Sequence, residues 1–338
     1  YSESVMNAFL LKIAADNMRE LAKLKGDPDY AEKMSSLSES VFCACRRHAW
    51  KGDFFARVLI NRKNKFGLRY LGAQNDGFCT DPDIGGTYYL NSFSWSILSD
   101  VADEEQIAVM LNIVERHLKT PSGFKLCTAH SLSSVTSAAA GTEQYFPGDR
   151  ENGGVFKHAA MMAVTAMLKA SKTVSDSVLR GKLLENAYFM LGIVMPYKTL
   201  QDPHLYKGNP RFCTQYNNPI TRENVGPILS GTSTWLVIAL MEAYGIGFTP
   251  EGIVFSPALS GEQKEIRFDL ALRNASYSVT IEKKRAAFCD GKRLSLYVDG
   301  VETKNTVVRY FNDNKRHGIT LKYLKQDPNI INWAQDKI

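Results

Sequence analysis

No run of eighteen apolar residues occurs anywhere in the 338-residue chain, which excludes a helix able to cross the hydrocarbon core of a bilayer. An excess of one charge is lacking too: 41 Lys and Arg stand against 35 Asp and Glu, a net charge of +6. The two signs are interspersed rather than blocked, the pattern of solvated faces and not of a nucleic-acid stripe. Of the six cysteines only Cys43 and Cys45 are close, and no CxxC pair exists. That spacing excludes a zinc ribbon or a thioredoxin motif, and thiols so used point to a reducing compartment, here expected to be the cytoplasm. The six histidines show no HExxH or paired spacing, so no metal site is expected. The strings GxxxxGK[ST] and GxSxG are both missing, which excludes a P-loop and a nucleophile elbow. With 24 Gly, 12 Pro and 44% hydrophobic residues, what remains is the composition of an ordinary soluble globular protein of about two domains.

From Ser2 to about Gly245 the hydrophobic pattern is helical. Residues 2–24 and 29–49 read as long amphipathic helices separated by a GDPD turn at 26–29. Ile107, Met110, Leu111, Val114 and Leu118 form one stripe at i, i+3, i+4, i+7 spacing, and 177–195 forms a further helix stopped by Pro196. Three segments, 91–101, 156–170 and 232–244, are apolar or small on nearly every side, as helices buried all round are. Buried and amphipathic helices thus alternate, joined by long loops at 50–90, 119–152 and 197–230. Loops of that length in a compact protein usually carry function. The architecture expected is part of an (α/α)6 toroid over residues 1–247, with a plain helical bundle or a helical repeat array as the alternative, although no fixed sequence period supports a repeat. After Gly247 the period changes to two: Ile266, Phe268, Leu270 and Leu272 alternate with polar or small residues, and 277–281, 294–298 and 319–323 repeat the pattern. Asp299-Gly300 between Val298 and Val301 reads as a tight hairpin turn. Residues 248–338 are therefore expected to form a small antiparallel β-sandwich. The triplet Asn274-Ala275-Ser276 matches a glycosylation acceptor, a pattern common by chance.

Three clusters could carry chemistry. The densest, Gly148-Asp149-Arg150-Glu151-Asn152-Gly153-Gly154-Val155-Phe156-Lys157-His158, sets an Arg, two acids, an Asn and a His around the glycine pair 153–154 at the mouth of a buried helix. It reads equally as a capping network and as a site. The second, Leu229-Ser230-Gly231-Thr232-Ser233-Thr234-Trp235, places a Gly and hydroxyls at another helix start. Free N–H groups there suit an anion, although an ordinary Ser/Thr cap has the same composition. The third, residues 209–219 (NPRFCTQYNNP), is rich in the amides and aromatics that hold sugar hydroxyls, or that simply brace a loop. Asp81-Pro82-Asp83-Ile84-Gly85-Gly86 lacks the third acid and the terminal Glu of a calcium loop and reads as a turn.

At these clusters the sequence resembles the C-terminal part of glycoside hydrolase family 94, the inverting cellobiose and cellodextrin phosphorylases and their relatives. The matching stretches are RENGGVFKHA at 150–159, CTQY at 213–216, LSGTSTW at 229–235, LNSFSWSILSDVA at 90–102 and HLKTPSGFKL at 117–126. The resemblance runs through nearly the whole chain and implies a helical toroid followed by a small sandwich. It implies that His158, Ser230 and the Gly231 backbone N–H hold phosphate, and that Arg150, Glu151 and Gln215 grip the glucosyl unit being transferred. Phosphate is itself a nucleophile, so one carboxylic acid and an anion pocket replace the acid and base of an inverting hydrolase. Ser230 and Arg150 stand where cellobiose-specific members have Thr and Lys. The family's general acid, an Asp in a GDWNDG-like motif, lies upstream of the ESVW-like helix that Ser2-Glu3-Ser4-Val5 resembles, and no such motif is present.

The chain opens at Tyr1 directly into a helical pattern and reads as a fragment carrying half a site, inactive alone. The expected reaction is phosphorolysis of a β-linked gluco-oligosaccharide, cellodextrin first, to α-glucose 1-phosphate, with no cofactor beyond inorganic phosphate. The expected partners are oligosaccharide, phosphate, the upstream part of the same polypeptide and a second copy in a homodimer, with no nucleic acid or membrane. A β-1,2- or β-1,3-oligoglucan phosphorylase, an inverting hydrolase on the same toroid and a non-catalytic carbohydrate-binding protein are the alternatives.

Overall fold

The computed structural model describes residues 2–61, 68–132, 145–197, 213–225, 231–261, 263–283, 294–304 and 307–323. They divide into two units: Tyr1–Met167 with Phe189–Leu236, and Leu168–Tyr188 with Val237–Ile338.

In the first unit, helices α1 (Val5–Lys25) and α2 (Pro28–Ala44) form a hairpin. Its turn is dictated locally. Gly26 closes α1 in the left-handed region at φ 74°, the Asp27 side chain accepts the Tyr30 N–H as the cap of α2, and Pro28 occupies the first helical position. The strands β1 (Ser2–Ser4), β2 (Val58–Asn61) and β3 (Leu68–Leu71) make an antiparallel sheet beside it. The long connection to α3 (Leu90–Leu98) is organised by one buried carboxylate. Asp76 accepts from the N–H groups of Gly72 at 2.9 Å, Phe78 at 3.1 Å and Thr87 at 3.3 Å, and from the Thr87 hydroxyl at 3.3 Å. The segment at 81–86 is the expected turn, with the Asp83 N–H on the Asp81 carboxylate. Helix α4 (Glu104–Ile113) begins in a full capping box between Asp103 and Gln106. Its five-residue stripe, continuing through the π-helical turn Val114–Leu118, is buried as the spacing predicts.

Three short antiparallel ladders position the site segments. Strand β4 (Lys119–Thr120) pairs with β5 (Gly123–Phe124). Strand β6 (Val155–Phe156) pairs with β7 (Tyr216–Asn217), which pairs in turn with β8 (Asn224–Val225). Directly after β6 comes α5 (Lys157–Thr173), followed by α6 (Ser177–Val194), which ends before Pro196 as expected. Helices α3 and α5 are buried on nearly every side. Helix α7 (Thr232–Tyr244) corrects the expectation for 232–244. It is equally apolar, yet Val237 is 56% and Ile238 37% exposed. An all-apolar helix is buried only where something packs on every face, and here Thr232, Ala239 and Ala243 are buried while the face with Val237 and Ile238 is not.

The strands of the second unit form two sheets sharing one core. The first orders β9 (Ile246–Phe248), β10 (Gly252–Phe255) and β15 (Val307–Arg309) as β15-β10-β9. The second orders β11 (Glu265–Leu272), β12 (Ala275–Glu282), β13 (Leu294–Val298), β14 (Val301–Thr303) and β16 (Arg316–Tyr323) as β11-β12-β16-β13-β14. Tyr277, Val279, Ile281, Ile319 and Leu321 face Ile253 and Val308 in that core. The wholly antiparallel sheet expected from the sequence is corrected at one place: β12 and β16 run parallel, Tyr277 beside His317 and Ile281 beside Leu321. Alternation of apolar residues specifies which face is buried and is blind to strand direction. The Asp299-Gly300 hairpin is as predicted, both residues having positive φ (50° and 81°).

Candidate active site

The segment 148–158 is a glycine turn that feeds a strand and then a helix. Asn152 donates its N–H to Asp149 O at 2.9 Å, and its own carbonyl accepts the Gly148 N–H at 2.8 Å. Gly154 returns its N–H to Arg150 O at 3.0 Å. A Cβ on Gly154 would lie 2.6 Å from that oxygen, so only glycine fits. The buried Asn152 side chain donates to Tyr145 O at 3.0 Å and accepts the His130 N–H at 3.4 Å. Asn152 is thus structural, and it holds Glu151 in place.

Glu151 is half-buried, and its Oε2 is shut off from solvent with no hydrogen-bond partner among the described residues. A carboxylate oxygen left unsatisfied is costly, and such atoms in a native structure call for an explanation. Behind it the Cys127 thiol donates to Glu151 O at 3.2 Å. Burial pushes that thiol up to about 12. Arg150 sits at φ 43° with an exposed side chain. Its guanidinium lies 4.8 Å from the centre of the Tyr145 ring and donates to the Tyr145 hydroxyl at 3.3 Å. Hydrogen bonds to Tyr216 and Tyr145 raise its pKa further.

The ladder of β6 and β7 brings the first and third clusters together. Val155 faces Asn217, Phe156 faces Tyr216 with the rings stacked at 6.3 Å, and Lys157 donates its N–H to Gln215 O at 3.0 Å. The Tyr216 hydroxyl donates to Asp149 at 2.8 Å. Asn217 donates to Ser122 O at 3.0 Å, while its buried Oδ1 has no partner among the described residues. Gln215 is half-buried, one residue along from these contacts.

The second cluster arrives through Gly231. This residue caps α7, its carbonyl accepting the Trp235 N–H at 2.9 Å. A Cβ built on it would stand 2.4 Å from His158 Nε2 and 2.6 Å from Cε1, so the imidazole lies directly against this glycine. The start of a 13-residue helix, with its positive dipole end, is thereby set beside an imidazole at the start of α5. Burial lowers the His158 pKa below the usual imidazole value, which favours the uncharged ring. Trp235 meets Trp95 of α3 edge-on at 5.6 Å, bringing the 90–102 stretch to the same place. Ser230 lies outside the described residues.

Of the residues expected at the site, the structure joins His158 to Gly231 directly and Gln215 to the start of α5 through the β6–β7 ladder. Glu151 stands at the glycine turn leading into β6, and Arg150 is held aside by Tyr145. Sequence reasoning gave no individual role to Lys157, Thr214 or Asn224. A lysine in an otherwise apolar helix start was the available signal for the first. Among the described residues no group of three or more His, Cys, Asp or Glu could hold a metal ion, and no helix is long and apolar enough to cross a membrane.

The start of α7 thus stands against the imidazole of His158, an arrangement of the kind that suits an anion. Residues 1–174 match the model of the glycosyl hydrolase 94 superfamily catalytic domain, and the chain belongs to that family. It is 25% identical to the cellobionic acid phosphorylase of Neurospora crassa over 83% of this chain and 33% of that protein. It is 24% identical to the solabiose phosphorylase of Paenibacillus borealis over 94% and 39%, respectively. It is 25% identical to the N,N'-diacetylchitobiose phosphorylase of Vibrio proteolyticus over 83% and 33%. The chain therefore spans between a third and two fifths of the length of these curated relatives. A solved structure titled sialidase superposes on 79% of this chain and 22% of its own with a TM-score of 0.51 at 12% identity, a likeness of fold alone.

Proposed function

We propose that this chain supplies the phosphate- and glucosyl-binding half of the site of an inverting phosphorylase that splits β-linked gluco-oligosaccharides, cellodextrin first, into α-glucose 1-phosphate and a shortened sugar. The helical region is then part of an (α/α)6 toroid, and the general-acid Asp comes from another part of the polypeptide. The observation that carries this reading is the contact of His158 with Gly231 at the start of α7. A phosphate there accepts the His158 N–H, the Gly231 N–H and the Ser230 hydroxyl. Its oxygen attacks the anomeric carbon from the face opposite the leaving oxygen, which inverts β to α. Arg150, Glu151 and Gln215 hold the glucosyl unit, and the unpaired Oε2 of Glu151 accepts one of its hydroxyls. Burying that oxygen without a partner is costly in the free protein, and a sugar hydroxyl removes the cost on binding.

The named relatives act on different sugars, so the linkage is the finer part of the proposal. The test is to incubate the full-length gene product with cello-, sophoro- and laminari-oligosaccharides, with and without phosphate, and to assay glucose 1-phosphate. Phosphate-dependent release from the cello series is expected, and release only from a β-1,2 or β-1,3 series would move the substrate. One observation favours a second reading. The unpaired Glu151 carboxylate could serve as the base of an inverting hydrolase, and free sugar released without phosphate would establish that instead.

A further inference from the structure

Lys157 is fully buried, among the largest side chains with no solvent exposure. Its Nζ donates to Thr214 Oγ1 and to Asn224 Oδ1, the latter at 2.8 Å, and its backbone N–H donates to Gln215 O at 3.0 Å. One residue thus ties the first turn of α5 to the residue before Gln215, to Gln215 itself and to β8. We propose that Lys157 is a positioning residue of the reaction: its buried ammonium fixes the start of α5, and with it His158, against the segment that presents Gln215. The inference rests on the phosphorylase reading above.

The energetics separate this role from a stabilising one. Burial draws the lysine down to about 8, so taking the charge out of water works against folding at neutral pH. Thr214 Oγ1 also donates to Asn224 Oδ1 at 2.6 Å, so removing the ammonium leaves those two side chains bonded to each other. A buried charge whose removal orphans nothing is dispensable for stability. What it supplies is geometry, since the two segments it joins carry the two ligand-gripping side chains.

The test uses the full-length enzyme with Lys157→Met, which keeps the stem and deletes the charge. Expected is a loss on the order of tenfold to a hundredfold in kcat/KM for phosphate, carried mainly by a raised KM, as for a group misplaced by a fraction of an ångström. The melting temperature should stay at or above that of the unsubstituted enzyme. Thr214→Val, which removes one acceptor and keeps the lysine, should raise the same KM by a smaller factor, and it carries the test should Lys157→Met fail to fold. Unchanged KM with Vmax lowered in proportion to folded protein would show a merely structural lysine and overturn the proposal, as would unchanged kinetics. An unsubstituted enzyme that turns over without phosphate overturns the phosphorylase reading first, and the role of Lys157 with it. An active phosphorylase indifferent to Lys157→Met overturns the lysine alone.

Discussion

Helices α5 and α7 both carry long apolar stretches and differ in how far these are buried. Both are apolar or small on most sides, and each begins at the candidate site, His158 at one start and Gly231 at the other. Met161, Val164, Met167 and Leu168 of α5 have no exposed surface, whereas Val237 of α7 is 56% exposed. The difference teaches that an all-apolar helix records what its sequence is suited to, while burial records what is packed on it. The two starts nevertheless meet at His158 and Gly231, so site geometry is present where the cover of one helix is not.

That comparison can be broken or sharpened by experiment. The largest effect is expected from Gly231→Ala in the full-length enzyme. The new methyl would occupy the place of the His158 imidazole edge, so phosphate-dependent kcat/KM should fall on the order of a hundredfold. Because the group displaced is a side-chain tip, the melting temperature should change little. A Gly231→Ala enzyme with normal phosphate kinetics would separate the two helix starts. Next, Met167→Ala in α5 should cost about 2–5 kcal/mol by urea unfolding of the chain, while Ile238→Ala in α7 should cost less than about 1 kcal/mol. Equal costs would mean that α7 is covered in solution. Gln215→Ala should lose roughly 1–3 kcal/mol of transition-state binding, measured as kcat/KM for the oligosaccharide. No loss would return Gln215 to loop structure.

The smallest effect lies in the second unit. His317 is bonded to Asp299 at 2.8 Å and to Asp313 at 3.2 Å, and the Asp299 contact raises its pKa above the usual imidazole value. Its contribution is full below about pH 6.5 and fades as pH rises through the raised folded value. Both carboxylates titrate below their ordinary range, so their share is present above about pH 4 and is lost as pH falls through the lowered values. His317→Gln should therefore lower the urea midpoint more at pH 6 than at pH 8.5. The same loss at both pH values would show that the imidazole acts by shape alone.

Much of this was legible in the residues. The GDPD turn, the stripe from Ile107 to Leu118, the stop before Pro196 and the Asp299-Gly300 hairpin follow from local chemistry, which periodicity and turn residues report. The meeting of His158 with Gly231 was legible only through resemblance, because nothing local links positions 73 apart in the chain. The parallel pairing of β12 with β16, the loop-organising Asp76 and the Lys157–Thr214–Asn224 cluster were not legible. Each depends on partners distant in sequence, and a single Asp or Lys looks the same whether solvated or buried.

The thiol behind Glu151 gives the site a clock. Cys127 has no exposed surface and a pKa pushed up to about 12, while Cys43 is open to solvent. A disulfide reagent should therefore reach the exposed Cys43 first, and Cys127 only in the moments when the glycine turn lifts away from it. The labelling rate of one buried sulfur then times the opening of the wall that carries Glu151. A sugar seated on that wall should slow the clock.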